Sequence, residues 1–176
     1  MTAFLVALTV PALPGNPAAS RSKVQGECSL RLGSGNVMQT GVCAMATDGT
    51  TDVYVGGKTV ICDSDEEPWT PRSLDIQGDF CRLIHDKGAF VALANEYWVY
   101  ASTILASVNG REWQQVATIP DVKLLDVAYG NGAFMAVGVT TVTGSPAPVW
   151  TSTDGFHWDK QASPAPDQVL TSVLFD

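Results

Sequence analysis

Apolar residues in this chain fall into short runs, some alternating with polar residues and some continuous, and several runs stop at glycine or an Asx-Gly pair. Leu125-Asp126-Val127-Ala128-Tyr129 and Phe134-Met135-Ala136-Val137 flank Gly130-Asn131-Gly132. Asn-Gly favours the positive φ angles of a two-residue turn, so these runs predict a β-hairpin. Val149-Trp150-Thr151-Ser152 predicts a third strand that reaches Asp154-Gly155 and returns through His157-Trp158, forming a second hairpin. No ten-residue stretch carries a helical apolar period, and the expected class is all-β.

The pattern recurs. Ile84 to Leu93 repeats as Ala128 to Val137, each followed by a Ser-x-Asx-Gly turn ending in tryptophan, Ser107 to Trp113 and Ser152 to Trp158. Trp69, Trp113 and Trp158 stand 44 and 45 residues apart. A period in the forties made of short apolar strands and glycine turns marks β-propeller blades. Repeats are read at about 3-35, 41-77, 81-120 and 125-167 in a single 1-176 domain, with Cys28 at a tryptophan position. Residues 170-176 repeat the start of the unit at 125, whereas residues 3-8 resemble its second strand. The expectation is a propeller of four blades of about 44 residues in which the C-terminal strand completes the N-terminal blade, removing two exposed edges.

Composition narrows the partners. With 45% hydrophobic residues the chain has material for a sizeable core. Its net charge of −8 and scattered Lys and Arg argue against nucleic acid and anionic membrane. The apolar stretch from Met1 to Leu13 lacks a basic lead and reads as strand rather than signal peptide, and no run reaches a membrane-spanning length. Cys28, Cys43, Cys62 and Cys81 form no C-x-x-C pair, which disfavours zinc; three disulfide pairings stay open beside a reading as buried thiols.

Candidate chemistry is sparse. In the turns, the Ser107 or Ser152 hydroxyl and the Asn109 or Asp154 side chain are suited to accept backbone N–H groups. Gly110 and Gly155 take left-handed backbone, and Trp113 and Trp158 pack the edge. These residues, with Trp69, Phe90, Phe134, Asn131 and Gly132, are structural markers of the repeat; no catalytic, cofactor or metal residue is assigned. Asp126 or Asp86 could serve glycoside hydrolysis, yet a chain with 18 acids offers such pairs by chance. His85 and His157 sit at different phases of the repeat and are expected as exposed turn residues. The run Asp63 to Glu67 could place three carboxylates on one face for Ca²⁺, but it lacks the glycine and distal Glu of an EF-hand and reads as a solvated turn. Tyr97-Trp98-Val99-Tyr100 reads as strand with half its aromatics in the core, although Tyr97, Trp98 and Trp150 could also stack on sugars.

The Ser-x-Asp-Gly-x-x-Trp turns and the line Tyr129-Gly130-Asn131-Gly132-Ala133-Phe134 resemble the degenerate Asp-box repeats of sialidase-like propellers found in phage virion and tail proteins and bacterial surface proteins. The turn is one residue shorter before the aromatic than the family pattern. The resemblance is strongest over 81-176, weaker over 41-75 and faint over 3-35. It implies that the Asp-box is a fold element remote from catalysis. The arginine cluster and the Tyr and Glu nucleophile pair of a sialidase are missing: Arg21, Arg31, Arg72, Arg82 and Arg111 lack the F/Y-R-I-P setting. The function it implies is a non-enzymatic structural or adhesive virion component, assembled in the host cytoplasm. Its partners would be other virion proteins, symmetric copies through Met1 to Pro17 and Thr140 to Pro148, and a host-surface glycan as a further candidate; no cofactor is expected. The alternative is a glycan-binding or glycan-processing propeller.

Overall fold

The computed structural model describes residues 7–10, 42–64, 70–96, 98–164 and 169–175. Fourteen strands and no helix are found among them. The first sheet holds β2 (Ala44–Thr47), β3 (Thr51–Gly56), β4 (Thr59–Ser64) and β5 (Thr70–Ser73). The second holds β6 (Asp79–Asp86), β7 (Ala89–Glu96), β8 (Ala101–Ser107) and β9 (Gln114–Pro120). The third holds β10 (Val122–Gly130), β11 (Ala133–Thr140), β12 (Val149–Ser152) and β13 (Asp159–Gln161). Each is an antiparallel meander in chain order.

Turn chemistry explains the hairpins. Lys87-Gly88 has φ of 50° and 74°, and Asn131-Gly132 has 51° and 82°. Positive φ at both central residues matches the right-handed twist of the flanking strands. The first sheet solves the same corner differently: Asp48 Oδ1 accepts the Thr50 and Thr51 N–H groups at 2.8 and 2.7 Å.

The sheets stack face to face in sequence, and their first strands β2, β6 and β10 pack successively against one another. Between the first two sheets lie Val53, Val55, Phe80, Leu83, Phe90 and Leu105; between the second and third lie Ile84, Val91, Leu93, Ile104, Leu124 and Phe134. Because the second sheet is covered on both faces, β7 is buried from Ala89 to Asn95, and from Ala89 to Ala94 its sequence is accordingly a continuous apolar run. A one-residue bulge recurs in the first strand, at Cys81 between Phe80 and Arg82 and at Leu125 between Leu124 and Asp126.

The remaining strands join the chain ends. β1 (Ala7–Val10) pairs with β14 (Ser172–Phe175), in the register Ala7↔Ser172 to Val10↔Phe175, and β14 packs against β10. The two ends adjoin, but they run parallel. The first and second strands of the other units run antiparallel, as in β6–β7 and β10–β11. The terminal pair is therefore not another copy of that hairpin, and the blade completion expected from the repeat is replaced by a parallel contact. Phe175 closes this end of the core: a Cβ on Gly130 would overlap its ring.

Candidate functional site

All three sheets share two ends. At one lie the hairpin turns β6–β7 and β10–β11 and the Ser-x-Asx-Gly turns, hereafter the turn end. At the other, the loop end, lie Gly57-Lys58, residues 98–100, residues 141–148 and the described links into the next sheet.

At the turn end the two Ser-x-Asx-Gly turns are near copies. Ser107 Oγ accepts the Gly110 N–H at 2.8 Å, and Ser152 Oγ accepts that of Gly155 at 2.8 Å. Asn109 Oδ1 accepts the N–H groups of Arg111 and Glu112, each at 2.9 Å; Asp154 Oδ1 accepts those of Phe156 and His157, each at 2.8 Å. Trp113 and Trp158 donate Nε1–H to the carbonyls of Gly110 and Gly155 at 2.8 Å. Their rings lie beside Phe80 and the fully buried Phe134, with centroids 6.5 and 6.3 Å apart. Trp69 lies outside the described residues, as do Cys28, Arg21 and Arg31.

These glycines also reach the preceding sheet. A Cβ on Gly110 would overlap Val53 Cγ2, and one on Gly155 would stand 3.0 Å from Val91 Cγ2 and 3.2 Å from Ala89 Cβ. Gly110 further accepts the Cys62 thiol at 2.7 Å, and Arg111 Nη2 donates to Ser64 Oγ at 2.7 Å. Each turn thus plugs onto the second strand of the sheet before it. That contact was missed in sequence reasoning, because nothing local to Gly110 points to Val53.

The loop ends are tied as well, at equivalent residues. Phe80 N–H donates to the Gly57 carbonyl at 2.8 Å. Leu124 N–H donates to Ser102 Oγ at 2.8 Å, while Asn95 Nδ2 donates to the Leu124 carbonyl at 2.9 Å and Ser102 Oγ donates to Asn95 Oδ1 at 2.6 Å. Asn95 and Ser102 are buried, so satisfying their polar groups within this cluster is what makes their burial tolerable.

Asp126, weighed as a hydrolytic carboxylate, is committed on both oxygens. Oδ1 faces Arg82 Nε at 3.3 Å; Oδ2 accepts Ser172 Oγ at 2.8 Å and Val173 N–H at 3.0 Å. The pair spans the second and third sheets and holds β14. Asp86 accepts the Lys87 N–H at 2.8 Å within its turn. Arg82 and Arg111 engage different partners, Asp126 and Ser64. The histidines also part company. His85 is half-buried against Phe90 with ring centroids 4.4 Å apart, while exposed His157 bonds Asp154 Oδ2 through Nδ1 at 2.7 Å. That hydrogen bond and the carboxylate's charge raise the His157 pKa, and the same bond, with the His157 N–H, drives Asp154 well below the usual carboxylate range.

The cysteines separate by depth. Cys62 is buried, Cys43 is exposed against the expectation of buried thiols, and burial pushes the Cys81 thiol up to about 12. Asp65 to Glu67 lie outside the described residues, and no cluster of three or more metal-ligating side chains occurs among those described. No described helix is long and apolar enough to cross a membrane.

The aromatic segment differs most from expectation. Trp98, Val99 and Tyr100 form the hairpin loop between β7 and β8, not a strand; Tyr97 lies outside the described residues. Trp98 is 93% exposed, Val99 58% and Tyr100 48%, so neither described aromatic of this stretch is packed in the core. Tyr100 has φ +47°, a left-handed conformation that ends the alternation on which a strand reading rests. Trp150, by contrast, packs against the core between the second and third sheets. The loop 141–148 between β11 and β12, exposed over 141–146, lies at the same end. No family model matches the chain, and no curated protein or solved structure matches it significantly.

Proposed function

We propose that this chain is a non-enzymatic structural or adhesive component of a virus particle, built as a β-propeller of Asp-box-type blades. The observation that carries the reading is the aromatic tip at Trp98, 93% exposed on a short loop between two long strands. An aromatic of this size left in water at the end of a rigid support is a typical anchor for a partner. The polar side chains of the turns and of Asp126 serve folding: Ser107, Asn109, Ser152 and Asp154 close turns, and Asp126 joins Arg82 to β14. Successive packing of β2, β6, β10 and β14 supports a propeller-like order of first strands, and the adjoining chain ends are what ring closure requires. The parallel β1–β14 pair is where such a ring departs from its other blades.

The test has two arms. Mass spectrometry of purified particles from the source should recover the chain at a stoichiometric copy number, and the purified protein should leave sialosides and aryl glycosides at background hydrolysis. Absence from particles, or turnover abolished by Asp126→Asn, overturns the proposal.

A further inference from the structure

Exposed apolar side chains are unevenly distributed. Of the seven large exposed hydrophobics among the described residues, four stand in loops at the loop end: Trp98, Val99, Tyr100 and Val142. The loops carrying these four contain no charged residue over 98–100 or 141–148, in a chain with 18 acidic and 10 basic side chains. The larger loop instead supplies Thr141, Thr143 and Ser145, whose hydroxyls donate and accept without adding charge.

Size and charge select among partners for such a surface. Aromatic side chains present roughly 150–250 Å² each, so the tip formed by Trp98, Val99 and Tyr100 offers on the order of 400 Å². That is about half of the roughly 800 Å² per partner that a stable protein interface buries. The net charge of −8 and the lack of cationic side chains in these loops oppose anionic partners, including sialylated sugars and acidic lipid. Trp98 leaves both ring faces open at 93% exposure. A flat, apolar, uncharged ring with both faces open fits the C–H face of a neutral sugar.

We infer that the loop end binds a neutral oligosaccharide, with Trp98 as the stacking platform. This deepens the adhesive reading above by naming its ligand class. Trp98 carries no packing, so Trp98→Ala leaves the fold unchanged and reports on binding alone.

The experiment follows the five indole N–H resonances of ¹⁵N-labelled protein, with Trp98 assigned by Trp98→Phe. Maltohexaose, cellohexaose and chitohexaose are titrated to about 10 mM, within reach of a weak single-site contact. Sialyllactose and phosphatidylcholine vesicles are the contrasting probes. The expected result is a saturable shift of the Trp98 indole by at least one neutral sugar, with affinity lowered about tenfold or more in Trp98→Ala when read on backbone amides of 98–100 and 141–148. The inference is overturned by no shift with any neutral sugar, by an equal response to sialyllactose, or by sugar binding that survives Trp98→Ala. A Trp98 response to vesicles or to protein concentration instead of sugar also overturns it, in favour of lipid or self-association. Particle content is measured separately: sugar binding by a chain absent from particles sinks the virion reading and keeps this one, and a particle protein blind to sugar does the reverse.

Discussion

If Gly110 and Gly155 are plugs between sheets, replacing them should harm the protein more than replacing a turn glycine that touches nothing. Gly132 is the control: φ is +82° and a Cβ there would meet no atom within 4 Å, so Gly132→Ala bears only left-handed strain, about 1 kcal/mol. Gly155→Ala adds contacts at 3.0 and 3.2 Å, tight enough to push its neighbours, and should lose about 2 kcal/mol. Gly110→Ala overlaps Val53, which is fully buried and cannot swing away; strain and overpacking together should remove about 3–4 kcal/mol. Stability is read from urea unfolding followed by tryptophan fluorescence, with midpoints compared at a shared slope. The double variant Gly110→Ala/Val53→Ala isolates the contact, because removing Val53 Cγ2 clears the space the new methyl needs. The double loss should fall short of the sum of the singles by at least about 1 kcal/mol. Equal losses for the three glycines, or strict additivity of Gly110→Ala with Val53→Ala, would refute the plug.

Other features make sharper local predictions. Ser152→Ala removes the acceptor of the Gly155 N–H and should lower stability by about 1 kcal/mol, seen as a shift of the urea midpoint. Asp126→Ala removes the acceptor for Arg82, Ser172 and Val173, and hydrogen exchange should speed at Val173 to Phe175 before the rest of the molecule; uniform exchange counts against Asp126 as the holder of β14. The His157 pKa, followed by its ring proton shifts, should sit above the ordinary imidazole value and fall back in Asp154→Asn. Since the His157 pKa is raised and that of Asp154 lowered, the charged pair is complete between the ordinary values of about 4 and 6.5. Its histidine part is lost as pH rises through the raised value and its aspartate part as pH falls through the depressed one.

The turns were legible because their chemistry is local. Ser-x-Asx-Gly places two acceptors and a left-handed residue within four positions, and Asn131-Gly132 specifies its own φ angles. All-β class followed from runs too short for helices. What joins the sheets was not legible: Gly110 meets Val53, and Ser102 meets Leu124, across distances in sequence that no periodicity records. The aromatic loop was misread because Tyr97 to Tyr100 has strand composition, whereas the left-handed Tyr100 and the turn around it depend on where β7 and β8 end. Parallel pairing at the termini was equally hidden, since repeated residues predict likeness of strands and say nothing of their direction.

The division between the two ends bears on where function can evolve. At the turn end a Cβ at either turn glycine would press on the preceding sheet, so residue choice there is set by the stack. At the loop end, the connections between second and third strands grow from Gly57-Lys58 to the loop carrying Trp98, Val99 and Tyr100 to 141–148 while the strands they join keep their pairing. The ties that hold this end, Phe80 to Gly57 and Leu124 to Ser102, do not involve the tips of the two longer loops at 98–100 and 142–146. Length and composition can therefore change at the tips with little effect on packing. A fold tied at both ends but constrained in sequence mainly at one leaves the other free to carry a partner-binding surface, and it is there that the exposed Trp98 stands.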